Sequence, residues 1–327
     1  MSDQPPKNNK PRTKTKSKAL DKTDIETIPT KPTINISAGD LAAVCDMDHY
    51  DNWAKVAAKI WKQINPVEYA MCEAKAKLSG LSIASDGYYT KMQNIGKHAG
   101  NTEANTLINT IKQQVAHLNK SKDKSSIELT NKQAEITKSI TQSQHLSVSE
   151  KRELEKLIKS ATNTCHGVTN ECNGYTIFNT HSGKQCSAQQ KNVKFTLMET
   201  SHAKWVLTGR LDGLTPDNEV VEIKNRTKGL FGLVRDYEMM QIQSYIAICK
   251  SARGHLVELY KKSDGKIDYD IQTVECDTQF ISDSVLPWIH KLDTYMYDIV
   301  NNSDSLKDAI VLGDPSKIAR TQYYSFE

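Results

Sequence analysis

The most constraining feature of this 327-residue sequence is a pair of short strand patterns joined by a compact turn. Residues 205–211 and 220–224 are rich in β-branched and apolar side chains, which favour strands. The residues Pro-Asp-Asn at 216–218 lie between them, and Asn tolerates the left-handed conformation that a three-residue hairpin loop requires. The two runs are therefore predicted to pair as an antiparallel hairpin.

The predicted hairpin fixes which side chains face each other. With Asn218 left-handed, Thr215 pairs with Glu219, and Asp212 then lies opposite Glu222, about 5 Å away at Cβ. Lys224 projects from the same face, because alternate residues of a strand share a face. Two facing carboxylates repel each other, and a divalent cation removes that conflict. Oxygen ligands favour Mg²⁺ or Mn²⁺ over zinc.

This set of side chains is suited to metal-assisted hydrolysis of a phosphodiester, in which Lys224 orients or deprotonates a water or balances developing charge. A second ion could stabilise the leaving oxygen. The same residues also fit an exposed hairpin in which Lys224 forms a surface ion pair of little energetic weight. The hairpin residues alone leave both interpretations open.

The pattern of the chain changes near residue 191, from helical spacing of apolar residues to alternation. We therefore predict an α/β fold in which a mixed β-sheet core is flanked by helices and preceded by a helical N-terminal elaboration. Further strands are predicted at 193–197, 254–260 and 267–273, and helices at 233–250 and 282–300.

The N-terminal half is predicted to be helical from near Ile34. Ser37 begins a helix signal, and Pro66 begins a turn or helix that continues to about residue 77. Residues 101–162 are polar, yet apolar residues recur there at helical spacing, which predicts helices with one apolar stripe. A loop is expected within 120–128.

A further helix is predicted to begin at Ser147, which can form a capping box with Glu150, and to end at about Ser160. These patterns divide the chain into three regions. They are a disordered arm at 1–33, a helical region with its polar insertion at 34–164, and the core at 165–327.

The arm carries the whole formal charge excess of +4, because residues 1–34 hold eight basic and four acidic side chains. It also holds five of the nine prolines and few apolar residues, so it is predicted to be disordered. Its basic run from Lys10 fits a solubilising tail, a phosphate-seeking arm or a nuclear import signal.

No apolar run approaches the ~20 residues that span a bilayer, and the N-terminus lacks the apolar core of a secretory signal. We expect no membrane partner. Seven cysteines are few for a disulfide scaffold of this length, so a reducing, intracellular setting is expected.

The hairpin residues resemble a known signature. Asp212 followed by Glu222-Ile223-Lys224 resembles the Asp…(Asp/Glu)-x-Lys pattern of the PD-(D/E)xK, or restriction-endonuclease-like, nucleases. Upstream, residues 166–171 resemble the Gly-x-x-x-Glu segment that supplies an extra acid in this superfamily, here Glu171.

A downstream helix signal makes the resemblance more specific. Tyr237, Gln241, Gln243 and Tyr245 resemble the Tyr…Gln-x-Gln helix of the lambda-exonuclease-like (YqaJ-type viral recombinase) family, and they also fit the Gln-x-x-x-Tyr motif of RecB-type nucleases. The four motifs occur in the family's order. Together they cover about residues 165–260.

The resemblance implies roles for individual residues. The metal ligands would be the side chains of Glu171, Asp212 and Glu222, with the backbone carbonyl of Ile223. Lys224 would be the catalytic lysine, and Asp212, Glu222 and Gln241 would complete the catalytic set. By this resemblance, Ser37, Gln243 and Tyr245 would lie at the DNA. Apart from the resemblance, Arg226 and Lys228 belong to a local basic patch that fits either DNA binding or a solvated face. The Ser37 contact departs from the family pattern, because Gly39 stands where members often carry a serine.

The resemblance also implies an activity. Family members are exonucleases that digest linear duplex DNA with Mg²⁺ or Mn²⁺, so two ions per site are expected here. It further implies viral or phage recombination, replication or repair, in the host cytoplasm or nucleus. The implied partners are DNA, an annealing or single-strand-binding protein, and further copies in a trimer. The alternatives are a RecB-type or structure-specific endonuclease, or a non-catalytic DNA-binding accessory protein.

Overall fold

The computed structural model describes residues 31–45, 47, 53–120, 125–186, 190–302 and 304–313, all within one compact unit. The prediction for the basic arm lies outside the described residues, apart from residues 31–33. In the described part of the chain, no helix combines the length and apolar character needed to cross a bilayer.

The first of two sheets has three strands in the order β1-β3-β2. Strand β1 (Thr33–Ser37) pairs in parallel with β3 (Lys204–Leu211), and β2 (Lys191–Glu199) pairs with β3 in antiparallel. Strand β1 is absent from the sequence prediction. Its alternation is only five residues long, and the structure buries Ile34 and Ile36 from it.

The second sheet has four strands in the order β4-β5-β6-β7. Its central pair, β5 and β6, is parallel, and both outer pairs are antiparallel. Only Asp212 separates β3 from β4, so this residue lies at the bend that joins the two sheets. The strands are β4 (Gly213–Leu214), β5 (Val220–Asn225), β6 (Arg253–Lys261) and β7 (Ile267–Glu275).

Ten helices occur in the described residues, and together with the mixed sheets they confirm the predicted α/β class and the helical N-terminal elaboration. They are α1 (Ala38–Val44), α2 (Trp53–Ile64), α3 (Pro66–Leu78), α4 (Tyr88–Ala99), α5 (Thr102–Lys120), α6 (Ser126–Gln142), α7 (Val148–Ser182), α8 (Asp236–Cys249), α9 (Leu286–Asn302) and α10 (Asp304–Leu312). The final predicted helix begins earlier, as a π-helical turn at Phe280–Val285, and α10 was not predicted.

Helix α7 corrects one prediction. Ser147 and Glu150 form the predicted capping box, but the helix does not end near Ser160; it continues for 35 residues to Ser182. The proposed domain boundary at 164/165 therefore lies inside a continuous helix. The second half of α7 packs against strand β5, and Gly174 allows the close approach. A Cβ at residue 174 would lie 2.6 Å from Cγ2 of Ile223.

The polar insertion at 101–162 has its own core. The predicted apolar stripe of α5 is buried against α4, α6 and α7, in a cluster that includes Ile108, Ile111, Ile140 and Leu154. Helix α6 begins inside the stretch 120–128 that was expected to be a loop, because Ser125 caps it; residues 121–124 lie outside the described residues. A separate, larger cluster packs around the sheets and contains Trp61 and Trp205.

Candidate active site

The turn forms with the predicted register, but the hairpin is shorter than predicted: only residues 213–214 (β4) pair with β5, whereas β3 pairs with β1 and β2 in the other sheet. Asn218 is left-handed with φ 62°, and the Thr215 N–H donates to the Glu219 carbonyl at 2.9 Å. Strands β4 and β5 pair in the register that places Asp212 opposite Glu222. The Asp212 carboxylate also accepts a hydrogen bond from the Ile223 backbone N–H at 2.8 Å, which holds it beside β5.

Lys224 lies at the centre of the site. Its ammonium group donates to Glu222 Oε1 at 2.7 Å and to Gln241 Oε1 at 2.8 Å. Glu222 is buried, and its second oxygen, Oε2, has no hydrogen-bond partner among the described residues. A buried carboxylate oxygen without a partner is costly, so this atom points to a ligand that the protein chain does not provide.

Helix α8 connects Lys224 to the first sheet. The Gln241 side-chain amide donates to the Tyr245 hydroxyl at 3.2 Å, and that hydroxyl donates to the Arg210 carbonyl at 3.3 Å. The Tyr245 ring occupies the space beside Gly209, where a Cβ would overlap it. Gln241 is therefore held on both sides and fixes the position of the lysine.

Helix α7 supplies the third acid from the other side of the sheet. Glu171 is half-buried and accepts a hydrogen bond from the Gln190 side chain at 2.8 Å. The hydroxyl of Tyr175, one helical turn further, donates to the Asp212 carbonyl at 2.8 Å. Gln190 has a left-handed backbone with φ 58°, which is unusual for a residue with a side chain.

Burial raises the pKa of each of the three carboxyl groups. The pKa of Glu171 is raised by desolvation and by the charge of Asp212. The pKa of Asp212 is raised by desolvation, against the opposing effect of the Ile223 N–H. Desolvation raises the pKa of Glu222 to about 7, and the Asp212 charge adds to this. Desolvation therefore outweighs the positive charge that Lys224 supplies to all three carboxyl groups.

Lys224 behaves in the opposite way. Burial lowers the pKa of its ammonium group, but the charge and hydrogen bond of Glu222, with the Asp212 charge, more than offset this effect. The net pKa lies above the ordinary value for lysine. Lys224 is thus a protonated hydrogen-bond donor in this site.

The donor atoms of the site are of the chemical type that hard divalent cations prefer. Glu171, Asp212 and Glu222 offer carboxylate oxygens, one of them buried without a partner. The Ile223 N–H points toward Asp212, and the carbonyl of a strand residue points to the same side as its N–H, so this oxygen also faces the acids. Among the described residues, no group of three or more His, Cys, Asp and Glu side chains is placed so that it could hold a metal ion, so Glu171, Asp212 and Glu222 would have to move closer together to share one.

Arg226 requires a correction, because it is not part of a surface patch. Its guanidinium is 10% exposed and pairs with Glu238, at 2.7 Å, and with Glu258. Glu258 also accepts the backbone N–H groups of Phe231 and Gly232. Arg226 therefore folds the loop that follows Lys224 and is not available to a phosphate.

The other predicted DNA-binding residues occupy different environments. Gln243 is buried; it donates to the Glu275 carbonyl and accepts from the Asp277 N–H, so it anchors the end of β7 rather than facing DNA. Tyr245 is buried beside Gln241. Lys228 is exposed on the loop after β5, and Ser37 caps α1 by accepting the Asp40 N–H.

Sequence reasoning missed two residues near the acids. The positive charge of Arg210 lowers the pKa of both Glu171 and Asp212. Its signal was present, because residues two apart on a strand share a face and Arg210 precedes Asp212 by two. Gln190 carried no such signal, since its place beside Glu171 depends on how β2 follows α7.

Comparisons with known proteins come from structure rather than sequence. No family profile matches the sequence, and no curated protein matches it. The similar solved structures include exonucleases. One is an alkaline exonuclease (LHK-Exo) from Laribacter hongkongensis, at 14% identity and TM-score 0.33, with 54% of this chain and 86% of that chain covered.

Two further similar structures are the same exonuclease in complex with dAMP and a protein named SSO0001. The dAMP complex has 15% identity and TM-score 0.30, with 54% of this chain and 86% of that chain covered. SSO0001 has 16% identity and TM-score 0.31, with 48% of this chain and 77% of that chain covered. At these TM-scores the functional argument rests on the site itself.

Proposed function

We propose that this chain is a Mg²⁺-dependent deoxyribonuclease that hydrolyses phosphodiester bonds of linear DNA as an exonuclease. The observation that carries the proposal is the buried, unpartnered Oε2 of Glu222, which lies beside Lys224 on the hairpin that also presents Asp212. Buried carboxylate oxygens are ordinarily hydrogen-bonded, so this oxygen is open to a ligand.

The chain's own residues would divide the work as follows. Glu171, Asp212, Glu222 and the Ile223 carbonyl would hold one or two Mg²⁺ or Mn²⁺ ions. When bound, such an ion polarises a phosphate oxygen and lowers the pKa of the attacking water. Lys224 keeps its proton and donates a hydrogen bond to the phosphate as negative charge develops.

Gln241 and Tyr245 keep Lys224 in place during that step. The hydrogen bonds Lys224–Gln241–Tyr245–Arg210 carbonyl link the lysine to strand β3, so the ammonium group is oriented before DNA arrives. Preorganised donors of this kind supply electrostatic stabilisation, which is usually the largest single contribution to catalysis. A non-catalytic DNA-binding protein has no chemical need for such an arrangement.

The exonuclease mode is supported by the order of the four sequence motifs. DNA recombination or repair is the corresponding role. The proposed partners are a DNA end and a protein that anneals or covers the single strand released.

Metal binding gives the first test. Calorimetric titration with Mg²⁺ and Mn²⁺ should show binding to the native chain, and Asp212→Asn and Glu222→Gln should abolish or strongly weaken it. Glu219→Gln is the matched control, because Glu219 directly precedes the strand that carries Glu222 but pairs with Lys184 and His255. Equal binding by all four proteins would overturn the metal assignment.

The cleavage mode is tested with DNA of defined form. The native chain is incubated with linear and with closed circular DNA, in Mg²⁺ or in EDTA. Metal-dependent loss of linear DNA alone supports the exonuclease, and nicking of circles supports the endonuclease alternative. Salt-sensitive binding without cleavage would leave a DNA-binding protein. End-labelled substrates then report polarity.

A further inference from the structure

Helices α6 and α7 enclose an open cavity of about 360 Å³ on the helical insertion. The α7 side of this cavity presents three exposed cations, Arg152, Lys156 and Lys159. The α6 side is uncharged and presents Gln133 and Thr137. These five residues define what we call the α6–α7 groove, a cleft between a cationic wall and a neutral polar wall.

The three cations of the groove lack protein counterions. None of them forms an ion pair within 4 Å with a residue that the structure describes. Lys132, which lines a cavity on the α5 side of α6, does pair with its neighbour Glu135. Glu155 also lines the groove, and its carboxylate accepts a hydrogen bond from the Thr141 hydroxyl at 3.3 Å. Three cations and one acid leave the groove with a formal excess of two positive charges, which a bound anion would compensate.

The cations form one row along α7. At about 100° per residue, the three side chains project within an arc of about 60°. By the same count, Gly174, which packs against Ile223 of β5, lies on this face of the helix. The row therefore faces the side of α7 on which β5 lies. It ends about 18 Å before Glu171, since each residue rises about 1.5 Å.

Both helices of the groove are fastened to the end of strand β5 and the loop that follows it. The hydroxyl groups of Ser126 and Thr130, in the first turns of α6, donate to backbone carbonyls of that loop at 2.9 and 3.0 Å. On α7, the Gly167 carbonyl accepts a hydrogen bond from the Asn225 side-chain amide at 2.9 Å. The groove therefore has a fixed position relative to the candidate active site and begins about one helical turn from this loop.

We propose that the α6–α7 groove binds the phosphate backbone of a single DNA strand. The choice of DNA rests on the proposed nuclease function. The unpaired cations complement phosphates, and the lining residues that the structure describes include no aromatic ring on which bases could stack. A duplex, whose major groove alone is about 12 Å wide, cannot enter a cleft between helices about 8–10 Å apart, whereas one strand can.

The length of the row sets the number of contacts. The row rises about 10 Å along α7, and one DNA strand carries a phosphate about every 3.4 Å of duplex rise, so the row matches about three phosphates. Contacts to phosphate carry no sequence information, so binding in the groove is independent of base sequence. The groove retains the strand at a distance from the acids and takes no part in the chemistry.

The salt dependence of binding tests the row. Fluorescence anisotropy of a labelled oligothymidine strand is measured over a salt series in EDTA, so that no cleavage occurs. The triple variant Arg152→Gln, Lys156→Gln, Lys159→Gln should lower the slope of log affinity against log salt by about 2, because each single-strand phosphate contact contributes about 0.7. A native chain that does not bind the strand would overturn the proposal.

A matched triple variant controls for the loss of net charge. Lys77→Gln, Lys97→Gln, Lys204→Gln removes the same charge from exposed residues of α3, α4 and β3, and it should keep the native slope. Equal slopes for the two triple variants would overturn the proposal. Arg152→Lys, Lys156→Arg, Lys159→Arg preserves the charge of the row and should also keep the native slope. Circular dichroism and thermal melting confirm folding of each variant.

A single change on the α6 wall tests the groove without removing a cation. Thr137→Glu places an acid opposite the row and should weaken binding of the strand about fivefold at low salt. Ser139→Glu is the control, because Ser139 is exposed and lies about 200° around α6 from Thr137. Equal weakening by the two changes would contradict the groove as the binding surface.

Two further measurements separate the groove from the proposed function. An oligothymidine–oligoadenosine duplex should lose no more affinity in the groove variant than in the control variant, and a loss confined to the duplex would overturn the single-strand assignment. A native chain that cuts linear DNA, with groove and control variants that bind the strand alike, would refute the groove and leave the nuclease standing. A native chain that does not cut, with strand binding weakened in the groove variant alone, would support the groove and refute the nuclease.

Discussion

Lys224 bridges Glu222 and Gln241, so one ammonium group joins strand β5 to helix α8 at the centre of the acidic site. The bridge orients the cation from two sides before any substrate binds. It also partly neutralises a carboxylate whose pKa burial has raised to about 7. This geometry makes Lys224 the side chain whose loss should separate binding from chemistry.

Lys224→Ala should bind DNA and fail to cut it. The lost cation stabilises charge only as the bond breaks, so the cleavage rate should fall about 10²–10⁴-fold while the dissociation constant changes little. The measurement is single-turnover cleavage of an end-labelled duplex beside a binding titration. A variant that cuts at the native rate would refute the proposed role.

Lys228→Ala provides the contrast. Lys228 is exposed and lies four residues after Lys224. A lysine that contacts a DNA phosphate there would contribute to the affinity for DNA and not to the cleavage step. Its loss should weaken binding and reduce the slope of log affinity against log salt by about 1, with the cleavage rate of bound DNA unchanged. An unchanged slope would remove Lys228 from the DNA interface.

Two glycines on helix α7 give a second prediction. Gly174→Ala should destabilise the protein by about 1–3 kcal/mol, because its Cβ would meet the Ile223 side chain at 2.6 Å and push apart α7 and β5. Gly167→Ala has open space at its Cβ and should stabilise by about 0.5–1 kcal/mol through helix propensity. Urea unfolding measures both, and changes of the same sign would contradict this packing.

The same contact shows which parts of the site the sequence could predict. The register of Asp212 against Glu222 depends on local turn chemistry at Asn218, and that is visible in the sequence. The extent of α7 depends on how closely a glycine can approach a strand about 50 residues away. The spacing of apolar residues near Ser160 does not indicate that contact, so the end of α7 could not be predicted from it.

Arg226 shows a second limit of sequence reading. A basic residue just after a strand is typical of a surface loop, and its burial depends on Glu238 and Glu258, which follow 12 and 32 residues later. Glu171 and Gln241 were predicted as site residues from the resemblance to a nuclease family. Periodicity could not predict them, because helices that are distant in sequence bring them to the hairpin. Their meeting is a property of the tertiary fold.

Arg226 therefore yields a stability prediction. Arg226→Met should cost about 3–5 kcal/mol in the free energy of unfolding, because it leaves two buried carboxylates without their cation. Arg253→Met is the control, since Arg253 is 44% exposed with its partners 3.7 Å away, and should cost under about 1 kcal/mol. If the Arg226→Met variant is folded, the slope of its log affinity for DNA against log salt concentration should equal that of the native chain. A smaller slope would show that Arg226 contacts DNA.

The environment of Glu219 predicts how the free energy of unfolding changes as the pH falls. Desolvation raises the pKa of its carboxyl group, but hydrogen bonds and charges from Lys184 and His255 outweigh this and hold the pKa below the ordinary 4.5. Because the folded pKa is the lower one, the stabilisation is complete above pH 4.5 and is lost as pH falls through the folded value. Glu219→Gln should therefore lower the urea midpoint at pH 7, and the difference between its midpoint and that of the native chain should shrink toward pH 3.

Lys184→Gln should show the same trend, because it removes the cation that pairs with the Glu219 carboxylate. The distance between Lys184 Nζ and Glu219 Oε2 is 2.5 Å. A difference that grows on acidification would mean that the folded carboxyl group binds its proton more tightly than the unfolded one.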